Sequence, residues 1–235
     1  MESNLNLKGF IIGATGAVGR ELVQELIKSN NWSKVTIVVR RQLEEWNDFT
    51  DEEKTKLEII QKENLDCLED ISQWKLNDYS SVFCCLGSRI KTGKENFLKV
   101  ESTYPLLEAK LALHYNVPHY SFVSAMGADP KSWFMLFKTK GETENDLKKI
   151  GLPHLSIHRP GQITKRRNDS RFFEDLLSFI PFTPKITAAD LSKALRIEAE
   201  LHHKSPQKQK IITYSHSDMN YLFKTGTYPS NINGE

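Results

Sequence analysis

The chain has 235 residues, 39% of them hydrophobic and 26% charged, which suits one large soluble domain that buries a core without staples. Its net charge of +2 gives no general electrostatic pull toward nucleic acid or an acidic membrane. No apolar run approaches the roughly 20 residues of a membrane helix, and Met1-Glu-Ser-Asn-Leu-Asn-Leu7 lacks the basic and apolar regions of a signal, so a cytoplasmic protein without a membrane span is expected.

Short apolar strands alternate with amphipathic helices. Leu7–Ile12 reads as a buried parallel strand, and Ala17–Ser29 as a helix with Val18, Leu22, Leu26 and Ile27 on one face. Lys34–Val39 is a β-branched second strand, followed by a polar, acidic stretch that is a loop or short helix. Leu57–Gln61 is a weaker third strand, Ser81–Leu86 a fourth, and Glu95–Tyr115 one long helix. A fifth strand, His119–Ser124, precedes a helix over Ser132–Ile150, and a sixth covers His154–His158. Helices near Arg171–Phe179 and over Ala188–His203, then a strand at Lys210–Tyr214, complete the pattern. Repeated βα units predict an α/β fold, a Rossmann-type doubly wound parallel sheet in a single domain. Residues from about 160 to 235 are expected to form a substrate-side cap.

The segment Gly13-Ala-Thr-Gly16-Ala-Val-Gly19-Arg20 lies between the first strand and the first helix. Gly13 allows a sharp turn, Gly16 leaves room for a pyrophosphate against bare backbone, and Gly19 permits close helix packing. The helix N-terminus offers free N–H groups and a positive dipole end, and Thr15 adds a hydroxyl. An NAD site places an acid at the end of the second strand, whereas arginine accommodates a 2′-phosphate. Here that strand runs into Arg40-Arg41, with no acid before Glu44, which favours NADP(H).

Several stretches together resemble one family: Gly13-Ala-Thr-Gly16, Arg40-Arg41, Phe83-Cys-Cys-Leu-Gly87, Val123-Ser-Ala-Met-Gly-Ala-Asp129, Lys140-Gly-Glu142 and His158-Arg-Pro-Gly161. In order and spacing they are similar to the Tat-interactive-protein oxidoreductases and their fungal mitochondrial relatives, which are atypical short-chain dehydrogenase/reductases binding NADPH. The resemblance assigns Thr15, Gly16, Ala17 and Val18 to the pyrophosphate and Arg40 with Arg41 to the 2′-phosphate. It places Leu86 and Gly87 beside the adenosine and ribose, Lys140 at the nicotinamide ribose, Ile163 in the nicotinamide pocket and Arg171 near a phosphate or substrate.

Short-chain reductases use a tyrosine four residues before the lysine, whose charge lowers the phenol's pKa for proton exchange during hydride transfer. A serine after the fifth strand holds the reacting oxygen. This chain has Leu136 at the tyrosine position and Ser124-Ala125 where relatives commonly carry two serines. Lys140 and Ser124 are the remaining catalytic candidates. Two readings follow: an NADP(H)-dependent oxidoreductase of a small carbonyl or alcohol, and a non-catalytic NADPH-binding redox sensor or scaffold with a protein partner.

Other groups point to packing. Cys84 and Cys85 read as small core residues, and with Cys67 they make a poor disulfide framework. His114, His119, His154 and His158 read as dispersed, and His202-His203 as adjacent residues on different helix faces, so no metal is expected. No nucleophile elbow surrounds Ser124. Trp133, Phe134, Met135 and Phe137 read as core and cleft lining, and the apolar helix near Arg171 as a core or cleft helix.

Overall fold

The alternation of side chains along each strand accounts for the layered architecture. Successive residues point to opposite faces of a sheet, so a strand covered on both sides has no solvent-facing parity and is apolar at both wherever its polar groups lack buried partners. In β1 (Leu7–Ile12), Ile11 joins one core while Phe10 and Ile12 join the other. β2 (Trp32–Val39) and β4 (Ser81–Cys84) divide in the same way. In the computed structural model, which describes residues 4–88, 92–164, 183–208 and 210–234, the main sheet runs β10-β9-β6-β5-β4-β1-β2-β3. The remaining strands are β3 (Leu57–Gln61), β5 (His119–Val123), β6 (Leu155–His158), β9 (Ile211–Tyr214) and β10 (Asn233–Gly234). All pairings in the sheet are parallel except β10 with β9. The strand order reverses between β1 and β4, which is where a doubly wound sheet opens a crevice beyond its strand ends.

Helices cover both faces. On one side α1 (Ala17–Lys28), α6 (Ala188–Lys204) and α7 (His216–Thr225) supply Leu22, Leu195 and Met219 to the first core. On the other, α4 (Tyr104–His114) and α5 (Met135–Ile150) contribute Leu111 and Leu147 to the second. The short α2 (Asp51–Lys56) opens on a Thr50–Glu53 capping box, in the acidic stretch read as a loop or short helix.

The expected single helix over Glu95–Tyr115 is instead α3 (Lys94–Leu98), a π-helical turn at Lys99–Thr103, and α4. Pro105 has no N–H to return to the Glu101 carbonyl, which accepts the Thr143 hydroxyl of α5 at 3.1 Å. The widened turn is where Glu101 becomes buried.

The stretch expected to form a cap is divided. β9 extends the main sheet beside β6, and α6 packs on α1, whereas β7 (Gln162–Thr164) and β8 (Lys185–Thr187) form a separate two-stranded parallel pair. The seam between α1 and α6 joins distant parts of the chain. Ser192 donates to the Val18 carbonyl at 2.8 Å, Arg196 bonds Glu25 at 3.0 Å, and the Trp32 indole N–H bonds Glu200 at 2.9 Å.

The histidines expected to be dispersed converge. Parallel strands begin at one edge of a sheet, so residues opening β4, β5 and β6 become neighbours despite long sequence separations. Ser81, His119, Ser156 and His158 share the parity that faces α6, whose Glu198, His202 and His203 meet them. His119 Nε2 lies 3.0 Å from Glu198, and the His154 and His202 rings lie 4.1 Å apart. His114 stays outside, against Tyr115.

Candidate functional site: the dinucleotide crevice

The glycine turn is shaped by steric necessity. Gly13 sits at φ +81°, and a Cβ there would come within 2.6 Å of the Cys85 backbone. At Gly19 a Cβ would lie 2.2 Å from the Gly13 carbonyl oxygen, so this glycine lets α1 pack on the turn itself rather than only on the sheet. The turn closes through the Gly16 N–H donating to Gly13 O at 2.9 Å. Gly16 is the N-cap of α1, provides no side-chain cap, and the first turn contains no acid. The N-terminal amides and dipole of this 12-residue helix therefore remain available to an anion.

Two adjoining cavities lie along the crevice, sharing Gly16, Cys85, Leu86, Gly87 and Ser88. The larger, about 520 Å³, runs from Gly13, Thr15 and Gly16 to Arg40 and Lys62 at the ends of β2 and β3. Among the described residues its lining includes no carboxylate. Arg41 is exposed and does not line it, so the expected arginine pair is one arginine with Lys62 as the second cation. The one-residue step along the chain turns Arg41 away. Tyr104 closes this end, its phenol donating to Asp66 at 2.9 Å, and burial with that carboxylate pushes its pKa up to about 12.

The smaller cavity, about 150 Å³, brings together Ala17, Val18, Glu101, Ser124, Ala125, Leu136, Lys140 and Ile163. Lys140, only 4% exposed, donates to the Val123 carbonyl at 3.0 Å and pairs with Glu101 at 2.9 Å. Its ammonium also lies 4.7 Å from the Phe122 ring centroid. The other Glu101 oxygen accepts the Ser88 backbone N–H at 2.5 Å. Ser124 donates to Glu144, which Arg159 grips through Nε at 3.0 Å and through Nη2. A buried ion pair thus holds Lys140, and a half-buried one stands behind Ser124.

Leu136 and Ala125 belong to an apolar wall with Phe97 and Phe137, and among the described residues no tyrosine lines this cavity. Tyr120 lies in β5, with its hydroxyl bonded to the Pro105 carbonyl and Glu108. Cys84 and Cys85 are buried free thiols, pushed well up in pKa by burial, as expected of core residues. Trp133 and Phe134 were expected to line core or cleft, yet both are exposed, Trp133 fully. Helix α5 starts only at Met135, leaving those two rings on the preceding loop. Arg171 and the helix near it lie outside the described residues. Sequence reasoning missed Lys62 and Glu101. Lys62 directly follows β3, a position that carried a readable signal, whereas Glu101 owes its placement to the π-turn.

Comparison with known proteins agrees with this geometry. A family described as NAD(P)H-binding matches residues 13–195. The protein HTATIP2 of Rattus norvegicus is 35% identical over 169 residues, covering 71% of this chain and 66% of that protein, just under two thirds of its length. The mitochondrial protein FMP52 of Candida albicans is 34% identical over 165 residues, 68% and 69% of the two chains. The chain belongs to the NAD(P)H-binding family, among the atypical short-chain dehydrogenase/reductases to which its motifs pointed. Solved structures share the fold: the oxidoreductase ylbE from Lactococcus lactis has a TM-score of 0.62 at 17% identity, over 95% of this chain and all of that one. MoeE5 in complex with UDP-glucose and NAD has a TM-score of 0.63 at 16% identity, over 94% and 83%.

Proposed function

We propose that this chain is an NADP(H)-dependent oxidoreductase of a small carbonyl or alcohol substrate. The observation carrying the cofactor choice is the end of the larger cavity, which Arg40 and Lys62 line and which no carboxylate lines among the described residues. The glycine cradle and uncapped α1 fit the pyrophosphate. Bound NADPH would supply the hydride. The chain's own residues would do the rest: Leu86 and Gly87 border the dinucleotide, Ile163 walls the reactive end, and Ser124 orients the substrate oxygen. Lys140 is the group we assign to deliver the proton, with Glu101 behind it, in place of the missing phenol. A cytoplasmic setting is part of the same proposal, in keeping with the free thiols of Cys67, Cys84 and Cys85.

The second reading, a cofactor-dependent sensor with a protein partner, is favoured by one observation. Leu136 and Ala125 sit in the cavity at the positions where proton transfer would be needed. Titration with NADPH and NADH, followed by cofactor oxidation with a carbonyl panel, separates the two. Turnover abolished by Lys140→Ala supports the enzyme, and tight NADPH binding with no turnover supports the sensor. Arg40→Ala should weaken NADPH by about 10- to 100-fold while sparing NADH, in line with about 1.5–3 kcal/mol for a hydrogen bond to a charged group. Arg41→Ala should change NADPH affinity by much less. Equal losses for NADPH and NADH in Arg40→Ala would overturn the cofactor assignment.

A further inference from the structure

The geometry points to a divalent transition-metal site of the Zn²⁺ class beneath α6, formed by His119, His154 and Glu198. One ring nitrogen from each histidine and one Glu198 carboxylate oxygen all lie within 4.8 Å of one another. His119 and Glu198 are fully buried, and His154 is 3% exposed. This ligand set is separate from the dinucleotide crevice, and none of its residues lines either cavity there.

The arrangement around Glu198 is directional. Its Oε1 accepts Ser156 at 2.8 Å and Tyr214 at 3.3 Å, leaving Oε2 facing His119 Nε2 at 3.0 Å and His158 Nε2 at 3.7 Å. Tetrahedral Zn–N and Zn–O bonds of roughly 2.0–2.1 Å place neighbouring donors about 3.3–3.4 Å apart. The His119–Glu198 separation of 3.0 Å is already near that value, and the His154 nitrogen, within 4.8 Å of both, completes the set by a side-chain movement.

His158 supplies an independent indication. It is fully buried, and neither of its ring nitrogens has a hydrogen-bond partner, which is costly for a buried imidazole. Its Nε2 faces the same carboxylate oxygen and is placed to approach the fourth position. Outer partners are present as well. His119 Nδ1 meets Ser81 Oγ at 3.0 Å, and Ser81 Oγ meets His203 Nε2 at 3.1 Å, the kind of relay that fixes a ligand's tautomer. His203 is only partly buried, so the cluster extends toward solvent along the end of α6. Two imidazoles and a carboxylate suit Zn²⁺ and its Co²⁺ surrogate, and not the all-oxygen chemistry of Mg²⁺ or Ca²⁺. One ion here would bind β5 and β6 to α6.

The test uses the full chain stripped with chelator, with Co²⁺ and Zn²⁺ as probes. We expect one equivalent of Co²⁺ with the intense visible absorption of four-coordinate geometry, displaced by one Zn²⁺, and a rise in Tm with Zn²⁺. His154→Gln and Glu198→Gln should each weaken Co²⁺ binding by at least about 100-fold, more than loss of an outer-shell partner would. Both variants should retain NADPH binding, whereas His114→Gln and His216→Gln should bind Co²⁺ as the parent does. Weak octahedral Co²⁺ spectra together with an unmoved Tm in the parent chain would overturn the site, even if neither ligand variant folds. Loss of binding in His114→Gln or His216→Gln would equally overturn it.

Discussion

Lowering the pH should destabilise the metal-free protein well before its carboxylates are neutralised, and His158 is the residue from which the effect can be worked. It is fully buried between β6 and α6, stacked on Tyr214 with ring centroids 4.9 Å apart and planes at 9°. Burial lowers its pKa from 6.5 to about 4, with Glu198 opposing and His119 and His154 assisting. In the unfolded chain this imidazole takes up a proton as pH falls through about 6.5; in the folded chain it does so only near about 4. The unfolded state therefore binds more protons across that window, and stability falls as pH falls. Between about pH 8 and about pH 5, linkage gives a loss of about 2 kcal/mol from His158 alone. His119, His202 and His203 are lowered as well and act with the same sign. Urea unfolding followed by circular dichroism, with chelator present, measures the slope. His158→Phe preserves the stacking shape but cannot titrate, so its loss over the same interval should be smaller by about 2 kcal/mol. Coincident pH profiles for the parent and His158→Phe would refute the reasoning.

Three further outcomes are expected. Gly19→Ala forces a Cβ to within 2.2 Å of the Gly13 carbonyl, so dinucleotide binding measured by fluorescence should fall below detection even if the chain still folds; retained affinity would refute the close-packing role. Glu101→Gln removes the partner of the buried Lys140 ammonium and should cost about 3–5 kcal/mol in denaturant unfolding, and a change under about 1 kcal/mol would show that the Val123 carbonyl suffices. Leu136→Tyr sets a phenol one helical turn before Lys140, at about 1–3 kcal/mol in overpacking. With NADPH binding intact it should raise carbonyl turnover by at least about 100-fold, and no gain would count against the assignment of Leu136 to the proton-donor position.

What the sequence made legible was largely local. The β1–turn–α1 unit could be read because Gly16 and Gly19 answer to contacts with Gly13 inside the turn and to the start of a helix, although the Cys85 backbone that crowds Gly13 lies far along the chain. Leu57–Gln61 is bounded as the sequence predicts because its apolar Leu57, Ile59 and Ile60 stand between the charged Asp51–Lys56 stretch and the polar Lys62-Glu-Asn64. The single long helix failed at Pro105, where a missing N–H is visible in the sequence but its answer, the Thr143 hydroxyl, lies on another helix. The histidine cluster was illegible for the same kind of reason: Ser81, His119, Ser156 and Glu198 meet only through strand order. A clue was nevertheless present. In β5 and β6 one parity is apolar, Tyr120 with Phe122 and Leu155 with Ile157, while the other holds His119, Ser121, Ser156 and His158. A strand covered on both faces has no solvent side for such residues, so they had to find one another.

The seam between α1 and α6 has a consequence for how the protein comes into being. Val18, Glu25 and Trp32 are anchored by Ser192, Arg196 and Glu200, partners separated from them by 168 to 174 positions. During synthesis, α1 emerges long before α6, and its outer surface is uncovered until α6 follows. Loops of that span close late and slowly. A nascent or truncated chain ending before Ala188 would display the glycine signature in full and still leave the side of α1 that α6 covers open to solvent, a species prone to aggregate. The outer face of α1 is thus completed only once α6 has been made, long after the glycine turn itself.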